Sequence, residues 1–198
     1  MELPLADPQQ RAERADAARN RARILVAAER LFAERGATRV SMEDIAKAAG
    51  VGKGTLYRRY PDRAAVAMAL LDEHERCLQQ QLLSGAPPLG PGAPAADRLA
   101  AFYAAMVELL EQHLDLVLAA DTGDARFRTG VYAFWRAHVR VLLRAAEVPD
   151  PDDALAELLL APLDGEFYRH LRDRGLTQRR IKAALSALAQ RTLGGIEH

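Results

Sequence analysis

The chain has 198 residues, 49% apolar and 27% charged, with 27 basic residues balanced by 27 acidic ones and a single cysteine. This length and mixture allow one large or two small globular domains with a sizeable core, while zero net charge argues against a protein that coats nucleic acid by bulk charge. One cysteine, Cys77, excludes an intrachain disulfide framework and fits a reducing compartment. No run approaches the roughly 18 apolar residues of a membrane span, and the N-terminus has no apolar core of signal-peptide length, so a soluble, cytoplasmic protein is expected.

The charge is not evenly spread. Residues 1–63 hold 13 basic against 9 acidic side chains, residues 64–198 hold 14 against 18, and Ala17 to Arg63 alone holds 11 against 5. A local basic patch suits phosphate even when the whole chain is neutral.

Strand signals are nearly absent and strong helix formers dominate. Residues 1–16, with Pro4 and Pro8, are expected to be a flexible arm. A helical stripe begins at Asn20, places Ile24, Ala28, Leu31, Phe32 and Arg35 on one face, and stops at Gly36. Ser41, with Asp44 three residues on, predicts a capped second helix burying Met42, Ile45, Ala46 and Ala49 and ending at Gly50. A third short helix starts near Gly52 or Lys53 and ends by Tyr60, because Pro61 disfavours helical geometry in the residue before it. Asp62 is placed to cap a fourth helix carrying Val66, Leu70, His74, Cys77 and Leu78.

Seven of the eleven residues in SGAPPLGPGAP, 84–94, are glycine or proline, which predicts an irregular connection. Beyond it, Leu99, Phe102, Tyr103, Met106, Leu110, His113 and Val117 share one helical face. Phe127, Val131, Phe134, Trp135, His138, Leu142 and Ala145 share another. Pro149 and Pro151 interrupt the chain. Leu155 to Leu171, bent at Pro162, and Ile181 to Leu193 are expected as a final helical pair joined around Gly175.

Two short helices joined by a tight turn and braced by a preceding helix form a helix-turn-helix, which lays its second helix in a DNA major groove. The stretch GVGKGTLYRRYPDR, 50–63, holds what that task needs. Gly50 permits a left-handed turn, and Gly52 and Gly54 allow close backbone approach to phosphate. Lys53, Arg58, Arg59 and Arg63 supply charge, Thr55 and Tyr57 supply hydroxyls, and Leu56 and Tyr60 point inward as anchors. Its GVGKGT lacks the spacing of a nucleotide-binding GxxxxGK[ST] loop.

Ala27 to Leu70, AAERLFAERGATRVSMEDIAKAAGVGKGTLYRRYPDRAAVAMAL, resembles the N-terminal domain of TetR-type (tetracycline-repressor-like) transcriptional regulators. The likeness rests on LFAERG, SMEDIAKAAGV and GTLYRRY followed by proline and a basic residue. It implies an all-α fold of about nine helices. Residues 17–63 would form a three-helix DNA-binding domain with its motif at about 41–60, and residues 64–198 a helical ligand-binding and dimerisation domain. It implies DNA contacts from Ser41, Gly52, Lys53, Thr55, Tyr57, Arg58, Arg59 and Arg63. Arg59 and Tyr60 depart from the usual histidine and phenylalanine, and Gly52 from a common serine. The implied function is that of a ligand-responsive regulator, a repressor that binds a palindromic operator as a homodimer through its last two helices. A small apolar or aromatic effector would release it, with no enzymatic activity, cofactor or membrane partner.

Phe102, Met106, His113, Tyr132, Phe134, Trp135 and His138 are candidates to line an effector cavity, with the two histidines as its polar handles; the plainer reading of each aromatic is core packing. His74 and Cys77 at i and i+3 suggest a metal pair only weakly, since no third ligand lies nearby, and packing is their expected role. The alternatives are an α-helical enzyme, for which no nucleophile elbow, HExxH or phosphate loop is present, and a nonspecific architectural DNA binder.

Overall fold

A computed structural model describes residues 8–36, 39–120, 130–150 and 153–194. It is helical, with nine α-helices and no strand among the described residues. The chain divides into two compact units, 1–70 and 71–198, so the boundary falls between Leu70 and Leu71, later than the expected residue 63. The first turns of the fourth helix thereby belong to the first unit.

In the first unit α1 spans Pro8–Arg35, α2 Met42–Ala49 and α3 Lys53–Arg59, and α4, Arg63–Ser84, begins. Helix α1 starts at Pro8, well ahead of the Asn20 expected from the apolar stripe. The stripe marks only where burial begins. Proline suits a first helical turn, whose N–H would be unbonded anyway, and the alanines, glutamines and arginines that follow are good helix formers. Residues 1–7 of the expected arm lie outside the described residues. Ile24, Leu25, Ala28 and Leu31 of α1 pack with Val40, Ile45, Ala46, Leu56, Tyr60 and Val66 in one core. Gly36 ends α1 at φ 79°.

The second unit contains the rest of α4, α5 (Ala95–Ala120), α6 (Gly130–Ala145), α7 (Ala154–Leu160), α8 (Gly165–Asp173) and α9 (Gln178–Leu193). Residues 85–94 are irregular. Helix α5 is the central element: α6, α8 and α9 all pack on it, and Leu99, Phe102, Tyr103 and Leu110 are almost completely buried. It kinks at His113 (φ −130°, ψ 21°). Phe127, assigned to the α6 face, lies outside the described residues; Val139 and Leu143 are buried on α6 where Ala145 is exposed.

The expected bent helix from Leu155 to Leu171 is two helices. Ala161–Leu163 forms a single 3₁₀ turn, because Pro162 has no N–H to donate and its ring crowds the preceding turn. The extended Asp164 then caps α8, accepting from Phe167 N at 2.7 Å. On α9, Ile181, Leu185, Ala189 and Leu193 are buried, while Ala184 and Leu188 face outward.

Candidate nucleic-acid interface and apolar core site

The turn between α2 and α3 is built from local chemistry. Ser41 Oγ accepts from Asp44 N (3.1 Å), and Asp44 Oδ2 accepts from Ser41 N (3.0 Å) and from Ser41 Oγ (2.7 Å). These bonds, the backbone one first, hold the Asp44 carboxyl below its usual range. Gly50 is left-handed at φ 60°, with Gly50 N and Val51 N closing onto Lys47 O and Ala46 O. Arg23 Nη2 of α1 donates to Gly50 O at 2.9 Å, bracing the turn from outside.

Helix α3 is anchored through Leu56, fully buried, and its C-cap Tyr60, 5% exposed. The opposite side is left to solvent: Tyr57 is half exposed, and Lys53, Gly54, Arg58 and Arg59 are exposed. The two arginines part company. Arg58 Nη2 lies 3.4 Å from Thr55 Oγ1 on its own helix, whereas Arg59 Nη1 reaches back to Ala17 O of α1 at 3.5 Å. A cleft of about 500 Å³, lined by Asp16, Asn20, Ile24, Thr55, Arg58 and Arg59 among others, runs between these helices.

The remaining candidates are more engaged than their residue types suggest. Lys53 pairs with Glu43 of α2, both exposed, an arrangement of little energetic weight and readily exchanged for another anion. Arg63 Nη1 donates to Val40 O at 3.3 Å and is half buried, so it ties α4 to the entry of α2. Gly52 caps α3 with ordinary φ −66° and no side-chain bond; a Cβ there would meet only Thr55 Oγ1, at 3.9 Å. Its glycine is therefore not required by backbone geometry.

In the second unit the seven cavity candidates separate into distinct contacts. Phe102 lies 5.6 Å from Trp135 and 5.3 Å from His138 between ring centroids, and Phe134 meets Trp135 edge-to-face at 5.3 Å. Met106 is buried beside Phe102 in the same core. His113 instead pairs with His74 of α4, Nε2 to Nδ1, at 2.6 Å, and Tyr132 donates to Glu157 of α7. Burial lowers the pKa of both His113 and His138 to about 4, helped by His74 for the first and by Arg98 for the second. Both imidazoles are therefore neutral at pH 7. Cys77 is exposed, contrary to the packing expected of it. Among the described residues no group of three or more His, Cys, Asp or Glu is placed to hold a metal.

Residues 24–70 match the family described as bacterial regulatory proteins, tetR family. The likeness to that family is carried by this segment, which holds α2, α3 and parts of α1 and α4. Over 61 residues it is 44% identical to the HTH-type transcriptional regulator TtgR of Pseudomonas putida, covering 30% of this chain and 29% of that protein. The chain thus matches about three-tenths of the length of its curated relatives. A TetR-family regulator from Rhodococcus sp. shares the fold across 89% of this chain and 99% of its own, with TM-score 0.62 and 20% identity. A regulator from Saccharomonospora viridis, solved in complex with choline, does so across 86% and 95%, with TM-score 0.62 and 24% identity. No helix among the described residues is long and apolar enough to cross a membrane.

Several residues of the second unit were not singled out in the sequence. Tyr103 donates to Leu159 O at 2.8 Å, and Tyr168 donates to Glu111, which also pairs with Arg172 at 3.0 Å. Arg98 was passed over too. A tyrosine on an apolar stripe needs a buried partner for its hydroxyl, which was a usable signal; an arginine just after a proline-rich connection offered none.

Proposed function

We propose that the chain is a ligand-responsive, DNA-binding transcriptional regulator, a repressor that binds a palindromic operator as a homodimer and is released by a small molecule. The observation that carries the reading is α3 itself: Leu56 and Tyr60 commit one side to the core, while Tyr57 and Arg58 stand exposed on the other. A short basic helix held in this way is suited to a major groove. Arg58 is the residue for base edges or phosphate. Arg59, turned toward α1, has the bracing role. Ser41, Gly52, Lys53, Thr55 and Arg63 contribute backbone positioning, Lys53 by exchanging Glu43 for a phosphate.

Dimerisation is supported by apolar residues left outside: Phe167 on α8 and Leu188 on α9 are 45% and 37% exposed, next to the exposed Ala184. A two-fold pair places recognition helices about 34–36 Å apart, one DNA turn. Effector binding is supported by the aromatic core around Phe102 and by the choline complex of the Saccharomonospora viridis regulator. Helix α4 contributes Val66 and Leu70 to the first core and Leu78 and Leu82 to the second, and is the proposed lever between them.

The test is fluorescence anisotropy with the promoter of the chain's own gene against shuffled DNA of equal length, with sedimentation of the same samples. Preference for the promoter by a dimer is expected. Equal affinity for both DNAs would favour an architectural binder, and tight binding by a monomer would refute the symmetric reading.

A further inference from the structure

We propose that Arg98 and His138 form the polar end of a site in the second unit that takes a ligand with a carboxylate head on an apolar body. The inference rests on the effector-binding reading and names the ligand's chemistry.

Two buried nitrogens carry it. Arg98 Nε and His138 Nε2 are shut off from solvent and have no hydrogen-bond partner among the described residues. Elsewhere in this unit buried polar groups are paired: Tyr103 with Leu159 O, Tyr168 with Glu111, His113 with His74. A buried donor or acceptor without a protein partner costs free energy unless a water, an ion or a ligand completes it. The two nitrogens belong to one place. Arg98 sits one helical turn before Phe102 on α5, the Phe102 ring lies 5.3 Å from that of His138 on α6, and the Arg98 charge acts on His138.

The charge chooses the ligand class. Among the described residues Arg98 bonds only the Leu82 carbonyl, through Nη2 at 3.3 Å, and forms no ion pair. The adjacent acid, Asp97, is engaged by Gln190 at 2.8 Å. A permanently charged guanidinium next to a neutral imidazole offers an N–H from Arg98 and, in the Nε2–H tautomer, a second from His138, both suited to one carboxylate. An ammonium ligand would meet the Arg98 charge. Phe102 and Trp135, 5.6 Å apart and buried, are the apolar side chains that an apolar body would pack against once admitted.

Trp135 is the chain's single tryptophan, so intrinsic fluorescence reports on this place directly. The full chain is titrated with octanoate, 1-octanol and octylamine. A saturable fluorescence change with octanoate is expected, with the other two about ten-fold weaker or more, as for loss of a charge-assisted hydrogen bond. Arg98→Met, checked for folding by circular dichroism, is expected to abolish the preference for octanoate. Should it not fold, Arg98→Lys, which keeps the charge and lacks the Nε–H, is expected to reduce the preference. Equal binding of the three probes, no binding of octanoate, or an unchanged preference in the folded variant would overturn the assignment. Octanoate binding that leaves DNA affinity unchanged supports the site and refutes the effector reading. Release of DNA by a compound that leaves Trp135 unaffected, with octanoate inert, supports the effector reading and overturns the site.

Discussion

Replacing Tyr60 by phenylalanine should stabilise the DNA-binding head. Tyr60 is 5% exposed and its hydroxyl is buried without a partner among the described residues. A buried polar group in that state costs about 1–3 kcal/mol of desolvation. Phenylalanine keeps the ring and its contacts and removes the oxygen. The space left is roughly 10–15 Å³, about one water-sized probe, which at about 24 cal/mol per Å³ costs about 0.3 kcal/mol. The net gain is then about 0.7–2.7 kcal/mol, each kcal/mol being worth some 2–4 °C in a chain of this size. The assay is urea unfolding followed by circular dichroism alongside anisotropy with operator DNA. A raised midpoint with unchanged slope and unchanged DNA affinity is expected, since the hydroxyl points into the core. Destabilisation by about 1 kcal/mol or more would refute the reasoning, because it would mean that the hydroxyl has a hydrogen-bond partner in solution.

Arg58→Ala should lower the salt dependence of DNA binding by about 0.9 in the logarithmic slope per subunit if it neutralises one phosphate, and Arg59→Ala by much less; equal effects would remove the distinction between the two arginines. Gly50→Ala should destabilise by about 1.5–3 kcal/mol, combining the left-handed backbone cost with loss of the Arg23 bond, because its Cβ would come within 2.5 Å of Arg23 Nη2. Denaturation measures this, and a cost below about 0.5 kcal/mol would show that the turn relaxes freely. The depressed pKa values of His113 and His138 make the unfolded chain bind more protons between pH 6.5 and about 4. Stability should therefore fall through that window on acidification and be fully present above it. His138→Gln should remove part of that loss in acid-melt curves, and an unchanged profile would place the proton uptake elsewhere.

The head was legible because its signals are local. Ser41 with Asp44, Gly50, Pro61 and Asp62 each fix a boundary through bonds to residues within a few positions, such as Ala65 N to Asp62 Oδ1 at 2.8 Å. The start of α1 was missed because an exposed helix has no stripe to read, and the break at Pro162 was underestimated because the following Asp164 begins a new cap. In the second unit periodicity identified buried faces correctly for Phe102, Trp135 and His138. It could not say which face meets which.

By itself, therefore, the sequence determined the all-α class, the helix-turn-helix and the inward and outward sides of α3, since helix periodicity and caps depend on neighbours a turn or less away. Only the tertiary structure decided that Arg59 turns to Ala17, 42 residues back, that Arg63 holds Val40, that His113 pairs with His74, and that Arg98 lies near His138. Those relations join residues distant in the chain. They are set by how the helices pack, and a side chain's type gives its capacity for a bond without naming the partner.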